Sequence, residues 1–445
     1  MWAVERAACP GGVRRPAPGE PLPAQATDPE EDAVRFTALS QIVPSPEDFA
    51  ANPPTRPQVW SMPPEPLRRL LDHAGIDRML RTGVPAAAFR AVRDGRGVDP
   101  AEYVWGERPI ERPFADTVRP GAVGTLLRDG STIVLDVLHR FWEPVGDFCR
   151  RLGHEVGLPA SATGFITPAD QPGFPYHHDE GGNLLIQTSG SKTWRVHEAT
   201  APDPLPHETL RRNRPDEAVS ARLAQRPPAL ETTLRPGDVL WIPRGWLHSG
   251  IATGEPSVHV AVGFVPVLTR YWLAGKLAER LDERRPEFAG FRRELPWGIT
   301  RSPGELAAVL AEVAKELAEA LPLVDAAGLA DSLVRDVRKN FLEPPGTPTV
   351  SATADPTGPT TPVVLVPEAV AGVERADAGR LRLHLGSTTL TLRGAVADHI
   401  EDLWSADGGE RWCAHDIAPL AGEAAALDLV RTLLRLGVAR RADAG

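Results

Sequence analysis

Gly173–Val196 reads GFPYHHDEGGNLLIQTSGSKTWRV, and Leu234–His248 reads LRPGDVLWIPRGWLH. In the first stretch, Leu184-Leu185-Ile186-Gln187 and Thr193-Trp194-Arg195-Val196 flank a Ser189-Gly190 turn. In the second, Pro236-Gly237-Asp238 turns the chain into Val239-Leu240-Trp241-Ile242, and Pro243 and Gly245 bend it again before His248. Ser257-Val258-His259-Val260-Ala261-Val262 continues the set. Short strands punctuated by turns predict a β-sandwich or barrel.

His177-His178-Asp179 follows a Gly- and Pro-rich loop and leads into these strands. Residues i and i+2 of a strand share a face, so His177 and Asp179 can grip one ion while His178 points away. A His-x-Asp pair with a distant His is the ligand set that holds non-haem iron(II) and leaves coordination positions open. The spacing therefore predicts a metal site of His177, Asp179 and His248 at the mouth of a barrel. Pro243 and Gly245 aim the third ligand inward.

Upstream, Asp129-Gly130 predicts a turn into a strand over 131–135, then a helix carrying Leu138, Phe141, Trp142, Val145 and Phe148. Gly164-Phe165-Ile166-Thr167 predicts the strand before the metal motif, and Leu67, Leu70 and Leu71 predict short helices from Pro64 to about Arg93. Asp203 to Pro228 is polar and rich in Arg and Pro, which predicts an excursion between strands. Residues 1–35 lack the apolar run of a signal peptide and predict a disordered leader. Downstream, Leu273, Leu277 and Leu281 mark one helix. Ser302-Pro303-Gly304-Glu305 marks the capped start of another, with Leu306, Val309, Leu310, Val313 and Leu317 inward. A Pro/Thr/Gly-rich linker over 343–362 then leads to a small α/β unit over 363–445, expected to be of winged-helix type. In that unit Leu381, Leu383, Leu385, Leu390 and Leu392 alternate, and Leu427, Val430 and Leu434 form a helical face.

The 42% hydrophobic and 24% charged residues are those of a soluble globular protein, and 445 residues exceed one ordinary core. A net charge of −10 argues against broad phosphate-backbone binding. Basic residues of the C-terminal unit, such as Arg380, Arg382, Arg393, Arg431, Arg435, Arg440 and Arg441, are scattered among acids, so nucleic acid is not an expected partner. Three dispersed cysteines indicate neither a disulfide framework nor a zinc ribbon, which fits a reducing cytoplasm. No apolar run is long enough to span a bilayer.

The two opening stretches together resemble JmjC-type Fe(II)/2-oxoglutarate oxygenases, and within them the ribosomal oxygenase branch of cupin-like arginine hydroxylases and their histidine-hydroxylase relatives. The resemblance implies an α+β protein: a double-stranded β-helix (cupin, jelly-roll) catalytic domain with a helical N-terminal part over 36–267. A helical dimerisation region over 268–342 and a C-terminal winged-helix-like domain would follow. It implies iron(II) on His177, Asp179 and His248, with 2-oxoglutarate as cosubstrate. A Lys beside a turn is by itself usually a solvated surface residue. The resemblance implies instead that Lys192 takes the distal carboxylate of 2-oxoglutarate. Asn183, Thr167 and His259 are the other candidates for the cosubstrate pocket.

Thr163 and Phe165 depart from the branch, which often carries Asn and Tyr there. Losing an amide and a phenol removes the polar contacts by which such a pocket discriminates. The expected reaction is oxidative decarboxylation of 2-oxoglutarate to succinate and CO₂, coupled to hydroxylation of a side chain in a protein or peptide, such as a ribosomal protein, by a homodimer. Hydroxylation of a free amino acid or peptide natural product, N-methyl demethylation, and a non-catalytic cupin-like binding role remain open alternatives.

Overall fold

The computed structural model describes residues 3–6, 36–105, 117–199, 203–205, 217–264, 268–283, 285–340, 357–366, 369–370, 372–376, 379–385, 388–405 and 410–442. The chain divides into two compact units, residues 1–265 with 338–445, and residues 266–337.

In chain order the strands of the first unit are β1 (Ala3–Arg6), β2 (Gln58–Ser61), β3 (Phe89–Arg93), β4 (Arg96–Gly97), β5 (Thr132–Leu135) and β6 (Ala160–Thr167). There follow β7 (Asn183–Ser189), β8 (Lys192–His197), β9 (Leu230–Leu234), β10 (Asp238–Ile242), β11 (Leu247–Ala252) and β12 (Ser257–Phe264). Strands β2 to β12 form an eight-stranded sheet, β2-β10-β7-β12-β6-β5-β3-β4, and a three-stranded sheet, β11-β8-β9. The neighbouring strands of both pair antiparallel.

Alternation along the strands divides the side chains between two cores. Leu184 and Ile186, Val239 and Trp241, and Val258, Val260 and Val262 face a helical layer that brings Leu67, Leu71, Leu138, Val145, Phe148 and Leu152. Their neighbours Leu185, Leu240 and Ile242 face the other way and pack on Trp194, Val196 and Leu234 of the small sheet. The result is a cupin-type sandwich with helices covering one outer face. Gly190 makes the β7–β8 hairpin possible: its φ is +61°, and a Cβ there would lie 1.9 Å from the carbonyl oxygen of Pro256. The Gln187 amide secures that corner by donating to Ser189 O at 2.8 Å and to Ser257 Oγ at 2.9 Å.

Glu155, near the end of helix Glu143–Val156, ties the N-terminal layer down. Its buried carboxylate accepts from the amides of Thr37, Ala38 and Leu39 at 2.7–2.8 Å and from Thr37 Oγ1 at 2.9 Å. Glu155→Ala strands three amide donors, and should cost about 3–5 kcal/mol, since a bond to a charged acceptor is worth roughly 1.5–3 kcal/mol. Glu155→Gln, which keeps one acceptor oxygen, should cost less. Urea-denaturation midpoints check the order; equal midpoints for Glu155→Ala and the parent protein would refute it.

The structure corrects some of these expectations and adds detail to others. Helical structure over 64–93 stops at Ala88: Phe89–Val92 pairs with β5, with Phe89, Ala91 and Val92 buried and Arg90 exposed. Ala3–Arg6, within the expected leader, is a strand paired with Thr388–Arg393. The excursion after β8 contains helix Glu217–Gln225. Its Leu223 packs on Tyr176 and Leu247, the residues beside two expected metal ligands. The expected linker lies outside the described residues up to position 356.

The last stretch of the chain adds β13 (Val363–Leu365), β14 (Gly372–Ala376), β15 (Arg380–Leu385), β16 (Thr388–Arg393) and β17 (Ala439–Arg441), with helices Ala395–Ser405, Ala414–Ala421 and Glu423–Arg435. The alternating leucines of β15 and β16 pack on Ile400, Ile417, Leu429, Val430 and Leu433 as a separate core.

The unit over 266–337 is built from helices Arg270–Glu279, Pro303–Ala320 and the start of Ala326–Asn340. Ser302 caps the second by accepting from the Glu305 amide at 3.3 Å, as expected. Leu310 is 61% exposed, contrary to its expected inward position. Periodicity says which residues share a face and not whether anything covers it.

Candidate metal centre

His177 and Asp179 do not lie on a regular strand. His177 forms a single antiparallel bridge with His248, their backbones exchanging hydrogen bonds of 2.8 and 3.2 Å. Asp179 is held by its carbonyl, which accepts from the Gly245 amide at 3.3 Å. The Pro243–Gly245 bend thus serves both ends of the ligand set. One ligand atom from each of His177, Asp179 and His248 falls within 4.8 Å of the others. His248 Nε2 is 3.6 Å from Asp179 Oδ2, and the two imidazole centroids are 4.2 Å apart. His178 is buried and outside this cluster.

The imidazole tautomers follow from their partners. His177 Nδ1 lies 2.8 Å from Pro175 O, and His248 Nδ1 lies 3.1 Å from Trp246 O. A carbonyl only accepts, so each Nδ1 carries the proton and each Nε2 presents a lone pair to a cation. The Asn183 side-chain amide donates to Asp179 Oδ2, fixing the carboxylate. Two oriented imidazoles and one carboxylate, half-buried at His177 and Asp179, suit a divalent first-row metal with open positions. The residues present therefore fit iron(II).

Lys192 begins β8 and points between the sheets. It is 2% exposed, its Nζ donates to Thr167 Oγ1 at 2.9 Å, and its ammonium lies 5.2 Å from the Trp194 ring centroid. Burial pushes its pKa down to about 7. Room for it comes from Gly173 and Gly250, where a Cβ would sit 2.9 Å from Lys192 Nζ and Cε respectively. A buried amine with one hydroxyl partner suits a carboxylate.

The other candidates divide. Thr167 is buried against Lys192 and accepts from Thr132 Oγ1 at 3.3 Å. Asn183 bonds to Asp179. His259 is buried, with its ring stacked on Phe165, centroids 4.8 Å apart. Burial first, then the nearby Lys192 and His248, holds its pKa well below the ordinary imidazole value, so the ring is neutral. Thr163, Phe165 and Thr167 alternate onto one face of β6. Sequence reasoning did not single out Trp194 as a wall shared by Lys192, His248 and His259, nor Phe174, which meets both His177 and Phe165 edge-on at 5.9 Å. Nor did it find the carbonyls of Pro175 and Trp246, a role that leaves no mark on residue type.

Residues 143–270 match the JmjC domain family. The chain is 29% identical over 234 residues to Ribosomal oxygenase 1 of Bos taurus, covering 52% of this chain and 34% of the relative. It is 26% identical over 233 residues to the bifunctional lysine-specific demethylase and histidyl-hydroxylase NO66 of Dictyostelium discoideum, covering 52% of this chain and 42% of the relative. The chain thus spans about a third of the length of the mammalian relatives it matches. The solved structure of E. coli ycfD is 15% identical with a TM-score of 0.46, covering 88% of this chain and 97% of that one. The His177/Asp179/His248 cluster lies inside the region that matches the JmjC domain family, in a chain similar to the ribosomal oxygenases over about half of its length.

Proposed function

We propose that this protein is an Fe(II)- and 2-oxoglutarate-dependent dioxygenase that hydroxylates a side chain in a protein or peptide. One observation carries the reading: an open three-ligand cluster and a buried Lys192–Thr167 pair share the interior of one sandwich. When bound, iron(II) with 2-oxoglutarate supplies the oxidant for an unactivated C–H bond. His177, Asp179 and His248 hold the metal, and the Pro175 and Trp246 carbonyls keep the imidazoles oriented. Lys192 and Thr167 take the distal carboxylate, and Trp194 shields that ammonium from water.

Reconstituted with Fe(II), the protein should convert 2-oxoglutarate to succinate and add 16 Da to a peptide of a ribosome or lysate digest, read by mass spectrometry. Well-folded, iron-loaded protein that makes no succinate under any of these conditions would point to the non-catalytic binding role. The ribosomal-protein substrate rests on what the relatives are called. Phe165, stacked on His259 and lacking a phenol, favours as second reading a free amino acid or peptide natural product. Loss of 14 Da from a methylated peptide would indicate demethylation.

The helices over 268–342 are read as a homodimer interface, because Tyr271, Trp297 and Leu310 are 64%, 95% and 61% exposed there. The C-terminal unit is read as a winged-helix-like protein-contact module, with Arg375 engaged by Asp398 and Glu401 rather than offered to phosphate. Among the described residues no helix is long and apolar enough to cross a membrane. A cytoplasmic location is part of the proposal.

A further inference from the structure

Between Lys192 and the metal ligands the protein leaves polar atoms unserved. His259 on β12 stands level with Phe165 on β6 and Gln187 on β7. Its ring is 1% exposed, lies parallel to Phe165 within 3°, and meets the edge of Trp194 from the opposite sheet at 5.3 Å. That contact places the imidazole in the space between the sheets. Its Nδ1 is buried with no hydrogen-bond partner among the described residues, and so is the neighbouring Trp194 Nε1. An apolar ring would fill the same volume without burying an unpaired nitrogen, so the orphan asks for a reason.

Trp194 marks the two ends of this space, with Lys192 Nζ 5.2 Å and the His248 ring 6.0 Å from its ring. A ligand clamped at Lys192 and reaching the metal must pass this wall, and His259 faces the same wall. A 2-oxo dicarboxylate offers only acceptor oxygens, so a neutral imidazole serves it by carrying its proton on Nδ1.

We propose that His259 is a positioning residue for the cosubstrate, its Nδ1–H donating to an oxygen of the 2-oxo dicarboxylate held between Lys192 and the metal. The proposal rests on the function proposed above and adds a residue that fixes the cosubstrate's orientation.

The test uses full-length protein loaded with Mn(II), which binds without turnover, and titrates 2-oxoglutarate by calorimetry. His259→Phe keeps the stack on Phe165 and removes the donor; His259→Asn places an amide N–H near the position of Nδ1. His259→Phe should weaken 2-oxoglutarate about 10–100-fold, as for a lost bond to a charged acceptor. Its Mn(II) affinity should stay within about twofold, and its ligand-free Tm should equal or exceed that of the parent because an orphan has gone. His259→Asn should recover most of the lost affinity. Parent-like 2-oxoglutarate binding by His259→Phe overturns the inference and leaves the proposed function standing. So does equal weakening in both variants, which would reveal a packing role. A parent protein that takes Mn(II) and not 2-oxoglutarate overturns the proposed function, and this inference with it.

Discussion

His177→Ala is expected to abolish metal binding. Two ligands remain, and the Pro175 carbonyl that orients the third is left without its partner. Losing an outer partner of a metal ligand costs about 10–100-fold in affinity, so losing the ligand itself must cost more. The two cases can be compared within this site. Asn183→Ala removes only the amide that holds Asp179, and should weaken Mn(II) by about 10–100-fold with the ligand set intact. Mn(II) titration followed by the electron paramagnetic resonance of the unbound ion separates the two, with circular dichroism as the folding control. If His177→Ala bound Mn(II) no worse than Asn183→Ala, the metal would not sit on this triad.

Lys192→Ala should have the second-largest effect, with the opposite signature: metal affinity unchanged, and 2-oxoglutarate affinity lower by on the order of 10²-fold or more. Removing one partner of a buried, hydrogen-bonded charge pair costs about 2–5 kcal/mol. The same residue predicts a pH dependence. Burial holds the Lys192 amine at about 7 in the ligand-free protein, whereas a bound carboxylate requires the ammonium. Binding above pH 7 must therefore take up a proton. Affinity should be nearly flat below pH 7 as far as this group is concerned, and should fall by about tenfold per pH unit above it. Calorimetry on Mn(II)-loaded protein at pH 6.5, 7.5 and 8.5, in buffers of different ionisation enthalpy, reads both the slope and the proton. Equal affinity at all three pH values would rule out Lys192 as the clamp.

Most of the proposed site is legible in the sequence because its chemistry depends on residue type at short spacing. His177-x-Asp179, the bend before His248, and Lys192 after the Ser189-Gly190 turn are such features. The sandwich was legible for a related reason: Leu184 to Gln187 and Val239 to Ile242 alternate between two cores, and period two is a local property. Local reasoning failed where the outcome depended on a distant neighbour. Phe89–Arg93 became a strand because Thr132–Leu135 was there to pair with it. Leu310 kept its helical phase and stayed exposed. The bond from the Asn183 amide to Asp179 likewise joins two residues whose spacing alone does not announce it.

The sequence alone therefore determined which residues to propose as metal ligands and clamp, and the sheet pattern that carries them. Only the tertiary structure decided which nitrogen of His177 and of His248 presents its lone pair, that Lys192 loses its water, and that His259 is buried with no partner for Nδ1 among the described residues. Residue type and periodicity are local properties. Desolvation and hydrogen-bond partnership arise when β6, β8, β11 and β12 are brought together across two packed sheets, and no segment contains that information by itself.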